Sequence, residues 1–530
     1  LRPPQPPASP AALPDSTPDA KDARPGHARA TNLVVRDAGV IMAGDLFDRA
    51  LGFAFLLTAT KIYSLEAYGA YLLALAVFHV IRTIVSFGLG RSIVKDTAAG
   101  AAIENLGQVK GAIVLGLAIS LSLALLLGAG LIFGAGQLVS VFFPRQPEVV
   151  SPLRVFGLLT PLFALNFVLL QAFYGLDRIR LMVVANNVVE PLTRLTALVG
   201  LYAAGVSGYV ALPYAYLIAL VVSSLFALTL FRKHVWARLA GVPTILRVRE
   251  TFAFTVPVTL NDLASRSFRS FNTYLFALYR TSTEISLISI AFKLTGVVFF
   301  FSSSLTAAFR PRIARLLAQG NVVELEAETR AYCRWILTFA LLPYGLLILF
   351  PEVMLRALGP QFVPAAGALR ILCVGLLVVQ AAGPLMALLI MSGRSKPPLY
   401  FVLAGASLYT GLALYAIPRF GMEGAATAAV TTILLVVPIL SVYVQRSLGL
   451  RIYGRTMWKP LAGGVVAFGA GLAVAYVVPA VRVLDAAAIA TTTAIVYLGM
   501  LVALGVEPAE RDLLVQLLKR LKKIKRKLRA

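Results

Sequence analysis

Two cysteines and three histidines are all that 530 residues contain, too few for a disulfide framework or for the His/Cys clusters that hold metals. Cys333 and Cys373 both lie in apolar runs, so redox chemistry is not indicated. Acidic residues are scarce as well, 24 Asp and Glu against 49 Lys and Arg, and charge of either sign makes up only 14% of the chain, where soluble domains carry about 25%. No Walker motif, nucleophile elbow or paired acidic motif on a long extramembrane loop is present, so the usual carriers of catalysis are missing.

What the chain has in abundance is apolar length. Hydrophobic residues make up 59% and the mean hydropathy is +0.82. Stretches long enough to cross a ~30 Å hydrocarbon core recur at about 37–60, 71–91, 111–133, 153–174, 182–204, 209–231, 252–278, 285–308, 332–350, 364–391, 398–417, 423–445, 460–480 and 485–506. They are continuous and lack two-residue alternation, which predicts helices and not barrel strands. The expected fold is an all-α integral membrane protein of about fourteen transmembrane helices.

The net charge of +25 does not mark a nucleic-acid binder, because no compact basic domain carries it. It falls in short connectors. One alternating set holds Arg91, Lys95, Lys110, Arg178, Arg180, Arg232, Lys233, Arg247, Arg310, Arg312, Arg394, Lys396 and Arg446; the other offers little beyond Lys61, Arg145, Arg280, Arg356, Arg419 and Arg482. By the positive-inside rule both termini are expected in the cytoplasm, in agreement with an even number of spans.

An internal repeat divides the chain. Asp45-Leu46-Phe47-Asp48-Arg49 matches Asp262-Leu263-Ala264-Ser265-Arg266 as D-L-x-x-R, Gly175 matches Gly393, and Gly205-x-x-Gly208 matches Gly421-x-x-Gly424, at offsets of 217, 218 and 216 residues. Three matches in register at equivalent span positions predict two pseudo-symmetric six-helix lobes plus two extra C-terminal helices. The expected divisions are a disordered cytoplasmic tail over 1–34, a first lobe over 35–231, a cytoplasmic connector over 232–250, a second lobe over 251–445, the two extra spans over 446–506, and a tail over 507–530. In that last tail Leu514, Leu517, Leu518, Leu521, Ile524 and Leu528 recur at helical spacing among lysines and arginines, the pattern of a basic amphipathic helix on anionic cytoplasmic lipid.

Ionisable groups at membrane depth are costly, so those that persist point to a site. The candidate substrate-binding residues are Arg49, Arg82, Arg266, Arg269 and Lys293, and the candidate coupling-ion or orienting residues are Asp45, Asp48, Asp262 and Glu190. Cations outnumber carboxylates in the first, second, seventh and eighth spans, which predicts an anionic cargo between the lobes; arginine suits phosphate because its fork bonds two oxygens at once. Glu190 and Arg194, four residues apart, also fit a pair that satisfies itself within one helix. No cofactor or metal is expected, and the energy source is H⁺, Na⁺ or the membrane potential.

Several segments resemble the Wzx-type polysaccharide flippases of the multidrug/oligosaccharidyl-lipid/polysaccharide (MOP) exporter superfamily. They are Ser64-Leu65-Glu66-Ala67-Tyr68-Gly69-Ala70-Tyr71, Gln171-Ala172-Phe173-Tyr174-Gly175-Leu176-Asp177-Arg178, Leu389-Ile390-Met391-Ser392-Gly393-Arg394 and Ile417-Pro418-Arg419-Phe420-Gly421-Met422-Glu423-Gly424. The resemblance implies a MATE-like pair of lobes around a central cavity and a polyprenyl-diphosphate-linked oligosaccharide moved across the inner membrane for surface or exopolysaccharide biosynthesis. Arg49, Arg82, Arg266 and Lys293 are the positions that correspond to cavity cations of such flippases, and other polysaccharide-assembly proteins would be its partners. Two other readings are a multidrug cation antiporter of the same superfamily, which would want an acidic or aromatic cavity, and a polytopic polysaccharide polymerase or lipid-dependent glycosyltransferase, which would want a larger outer loop.

Overall fold

The computed structural model describes residues 25–394, 396–454, 457–477 and 483–503, and over 25–38, 260–272 and a few single positions the backbone alone. Residues 1–24 of the expected N-terminal tail and the expected basic helix at 507–530 lie outside the described residues. Every element among the described residues is helical.

The first half runs through α1 (Pro25–Ile62), α2 (Leu65–Ser86), α3 (Leu89–Ala102), α4 (Leu106–Phe142), α5 (Val150–Gly175), α6 (Ile179–Val183), α7 (Glu190–Ala203) and α8 (Gly208–Phe231). A short α9 (Ala237–Leu239) leads to the second half. That half holds α10 (Val248–Tyr279), α11 (Ser282–Ala318), α12 (Val322–Leu349), α13 (Pro351–Leu358), α14 (Ala366–Ala382), α15 (Leu385–Met391) and α16 (Lys396–Leu448), and α17 (Trp458–Val477) and α18 (Val483–Ala503) close the described chain. Within the described residues all fourteen stretches expected as spans fall mainly on helix; 478–480 and 504–506 lie outside the described residues. By length and composition alone, nine helical stretches among the described residues are apolar enough to cross a membrane; α1 interrupts its own apolar run with Asp45, Asp48 and Arg49.

Several helix boundaries differ from the apolar pattern, each for a backbone reason. Helix α1 starts at Pro25, inside the stretch expected to be a disordered tail. The span expected at 71–91 begins at Leu65, where the Ser64 side chain caps the helix by accepting from the Ala67 amide at 3.1 Å, and it stops at Phe87 and Gly88, with φ of 40° and 60°. At Gly88 a side chain would collide with the Thr255 carbonyl on α10. Between α6 and α7 the turn Val184–Val189 is π-helical, the single-turn form in which π geometry usually occurs, often at functional sites. The 53-residue α16 is two helices merged across Gly421, whose φ is +57°. Phe401 and Tyr443 meet at 5.7 Å between ring centroids, so its two arms fold back on each other as a hairpin.

The repeat seen in the sequence has a geometric counterpart. Gly205 and its match Gly421 both take positive φ, 74° and 57°, the left-handed conformation that glycine adopts without a Cβ penalty. Helices α17 and α18 stand against α12: Gly345 leaves room for the Phe468 ring, and the Tyr497 hydroxyl donates to the Thr338 carbonyl at 3.1 Å.

The two halves meet tightly at one end of the bundle. The Gln146 amide nitrogen donates to the Ala277 carbonyl at 2.9 Å and also to that of Arg280, and Arg145 donates to the Tyr279 carbonyl at 2.5 Å. Ser286 donates to the Leu65 carbonyl at 2.5 Å, Tyr274 to Ala76 at 2.6 Å, and Gln361 to Thr60 at 3.1 Å. Between lipid-solvated helices no hydrophobic effect drives association, so close backbone approach and interhelical hydrogen bonds carry it. Gly69 makes the approach possible, since a Cβ there would lie 1.7 Å from the Ser282 carbonyl oxygen. Gly69→Val is expected to force α2 and α11 apart at a cost of about 1–3 kcal/mol, lowering the thermal midpoint of the purified protein. Gly134→Ala, at a position with open space, is expected not to lower it.

Candidate functional site

Helix α1 is the natural starting point because its apolar run is broken by three charges within five residues. Gly44 sets its position: a Cβ there would sit 2.4 Å from Val183 and 3.3 Å from Asn187, so α1 lies directly against the π-helical turn. Asn187 donates its amide to Asp45 at 2.8 Å. One turn on, Asp48 and Arg49 face a cavity of about 850 Å³ between the halves. Its walls also include Phe53, Phe55, Tyr68 and Tyr71 on the first half and Lys293, Val297, Pro343 and Leu347 on the second.

Lys293 bridges the halves at this cavity. Its ammonium donates to the Tyr68 hydroxyl at 2.6 Å and lies 5.3 Å from the Tyr68 ring centroid. Tyr68 itself is fully buried, one residue from the Gly69 contact. A phenol oxygen and a ring face are modest partners for an ammonium, weaker than a carboxylate would be. Among the described residues no carboxylate pairs with Lys293.

A second cavity of about 470 Å³ adjoins the first, and Asp48, Leu75 and Arg194 line both. It lies within the first half, walled by α2, α5, the π-helical turn, α7 and α8. Its lining is polar: His79, Arg82, Asn166, Gln171, Asn186 and Glu190 are among its residues. Arg82 stands 5.3 Å from the Phe163 ring, and Tyr216 lines the same cavity. At the junction Arg194 lies 3.5 Å from Glu190 and is flanked by the rings of Phe55 and Tyr216 at 5.2 and 5.4 Å. This packing holds the guanidinium in a dry setting where each charge contact counts for more than in water.

The candidates read from sequence are therefore divided between two spaces, not gathered in one. Arg49 and Lys293 share the cavity between the halves, with Asp48. Arg82 and Glu190 line the neighbouring cavity in the first half. Asp45 lines neither and is held by Asn187. The side chains of Asp262, Arg266 and Arg269 lie outside the described residues, although α10 carries all three. Arg194 is the residue that sequence reasoning undervalued. Its spacing from Glu190 matches a self-contained pair, and only the fold places it where two cavities meet. Asn166, Gln171 and Asn186 carry no charge and gave no signal at all.

Four cations, Arg49, Arg82, Arg194 and Lys293, thus stand around these spaces against two carboxylates, Asp48 and Glu190, among the described residues. No group of His, Cys, Asp and Glu able to hold a metal is found among the described residues.

Comparison with known proteins places this geometry in a family. Residues 34–317 match the family described as polysaccharide biosynthesis protein, and residues 257–414 match the MatE family. Stage V sporulation protein B of Bacillus subtilis (strain 168) is 23% identical over 446 residues, covering 78% of this chain and 84% of that protein. Among solved structures, the lipid II flippase MurJ in an inward closed conformation aligns with a TM-score of 0.65 at 12% identity, over 87% of this chain and 97% of its own. A multidrug resistance MATE family transporter in an inward-facing conformation aligns at 0.63 and 17% identity, over 76% and 94%. The chain belongs to the polysaccharide biosynthesis protein family, and it has the multi-pass membrane fold of the MOP-superfamily transporters with which it aligns.

Proposed function

We propose that this transporter moves a polyprenyl-diphosphate-linked oligosaccharide across the bacterial cytoplasmic membrane by alternating access, for surface or exopolysaccharide assembly. The observation that carries the reading is the lining of the 850 Å³ cavity, where among the described residues Arg49, Arg194 and Lys293 stand with Asp48 and Arg194 is also paired with Glu190. A diphosphate is the complementary cargo group: it takes bidentate hydrogen bonds from arginine and relieves like-charge repulsion among the cations. The apolar remainder of the wall, from Leu46, Phe53, Leu72 and Val297, suits a lipid chain. A cationic drug would meet repulsion in the same space, which disfavours the multidrug reading. That a solved neighbour of the same fold is a lipid II flippase adds to the case.

The positive-inside bias puts both termini in the cytoplasm, so the loops where the halves meet, around Tyr63, Arg145, Arg280 and Gly359, face outward. Asp45, tied to Asn187, acts as an orienting group for α1. Asp48 and Glu190, which share their cavities with Arg194, are the coupling carboxylates. Protonating either would weaken its hold on the cations and leave them for the cargo. Membrane lipids of negative charge and other polysaccharide-assembly proteins are the further partners.

Arg49→Ala and Arg82→Ala are each expected to lower flipping of a polyprenyl-diphosphate glycan in proteoliposomes by at least tenfold, the effect of losing about 1.4 kcal/mol or more of anion binding. Membrane insertion and thermal midpoint should stay near wild type. Normal transport by both variants would remove the cationic cavity from the mechanism. For coupling, Glu190→Gln is expected to make flipping insensitive to an imposed pH gradient, while Asp45→Asn keeps the gradient dependence and lowers only the rate. Transport assayed with and without the gradient distinguishes the two roles.

A further inference from the structure

Helices α2 and α11 meet along a line of contacts that runs into the larger cavity. The Ser282 carbonyl lies where a Cβ on Gly69 would stand, and the Ser286 hydroxyl donates to the Leu65 carbonyl at 2.5 Å. Ser282, Ser286 and Lys293 occupy positions i, i+4 and i+11, which share one helix face. Lys293 is therefore the member of this line that reaches the cavity, and there its ammonium donates to the Tyr68 hydroxyl at 2.6 Å. It is half-buried and lines the space, so a molecule in the cavity can touch it. The members of the line differ in what they lose when the helices part. A serine hydroxyl turns back to a carbonyl of its own helix. An ammonium at membrane depth needs another partner, and among the described residues the second half puts no carboxylate on the cavity wall. Asp48 lines the same cavity but rides on α1 of the first half, so parting carries it away along with Tyr68.

We infer that Tyr68 and the anionic cargo exchange at Lys293, so that the seam between the halves parts readily only when the cavity is loaded. Tyr68 is the positioning residue. Its hydroxyl holds the ammonium at the cavity wall while the space is empty and yields it to a phosphate oxygen, which is a stronger, charge-assisted acceptor. With the cavity empty, parting strips Lys293 of that hydroxyl and leaves a charge unsatisfied. With a diphosphate present, the ammonium keeps a partner through the movement. A ligand shifts a two-state equilibrium only by its preference for one state. Here the preference comes from one ammonium that has a partner across the closed seam and needs the cargo once the seam parts. The inference rests on the flippase reading above and deepens it, by naming the contact through which cargo binding is felt at the seam.

The test follows the seam in the full chain in lipid nanodiscs by pulsed electron paramagnetic resonance. Spin labels go on Lys61→Cys and Arg419→Cys, exposed positions of opposite halves beside the Gln361–Thr60 and Arg280–Pro418 hydrogen bonds, with Cys333→Ala and Cys373→Ala as background. Farnesyl diphosphate, but not farnesol, is expected to raise the ratio of parted to closed seam by about tenfold or more. Lys293→Met should raise that ratio about tenfold with no ligand and make it insensitive to farnesyl diphosphate. Tyr68→Phe should also raise it without ligand, yet add less than about twofold in the Lys293→Met background, because the hydroxyl acts through the ammonium. Effects of the two substitutions that simply multiply would make Tyr68 a packing residue and overturn the exchange. The thermal midpoint certifies each variant as folded; should Lys293→Met fail that check, Tyr68→Phe decides, and a ligand-free ratio equal to wild type overturns the inference. Farnesyl diphosphate that binds the wild type without moving the distance overturns the exchange and leaves the flippase reading standing. Failure of farnesyl diphosphate to bind the wild type overturns both.

Discussion

A fixed positive charge in a hydrocarbon slab has nowhere cheap to go, and the organisation of this protein follows from that constraint. Arg49, Arg82, Arg194 and Lys293 sit on helices that must otherwise satisfy lipid, so each is turned toward an internal space or an aromatic ring. The cost of holding them there is met in part by a small set of partners among the described residues: the Tyr68 hydroxyl for Lys293, Glu190 and two rings for Arg194, and the Phe163 ring for Arg82.

Much of the architecture could be read from the chain because bilayer thickness and helix rise leave little freedom. Apolar length located the helices, and the match of Gly205 with Gly421 reappears as a shared positive φ. What escaped was local backbone geometry. The stop at Phe87 and Gly88, the π-helical turn before Glu190 and the start of α2 at Leu65 depend on a side-chain cap and on tertiary approaches that hydropathy does not register. Gly421 shows the reverse case. Its place in the repeat pointed to a sharp return between helices, and its positive φ is that return.

The site was legible only in part. Charged residues announce themselves in an apolar background, so Arg49, Arg82, Asp48, Glu190 and Lys293 stood out, yet hydropathy carries no information about which way each faces. Arg49 and Lys293 converge from different halves, whereas Arg82 turns into its own half. The spacing of Glu190 and Arg194 hid Arg194 behind a plausible private pair. Neutral amides such as Asn166 and Gln171 are invisible to any charge-based reading, and only the fold brings them to the wall of a cavity.

At Gly69 two backbones touch with no side chain between them. A side-chain contact can stretch, swap rotamers and yield by degrees. A main-chain carbonyl set against an α-carbon has no such slack, so separation by even a fraction of an ångström forfeits the neighbouring hydrogen bonds of Ser286 and Gln146 together. The seam at Gly69 is therefore built to be either shut or parted, with little stable ground in between, a digital character of the kind that alternating access calls for.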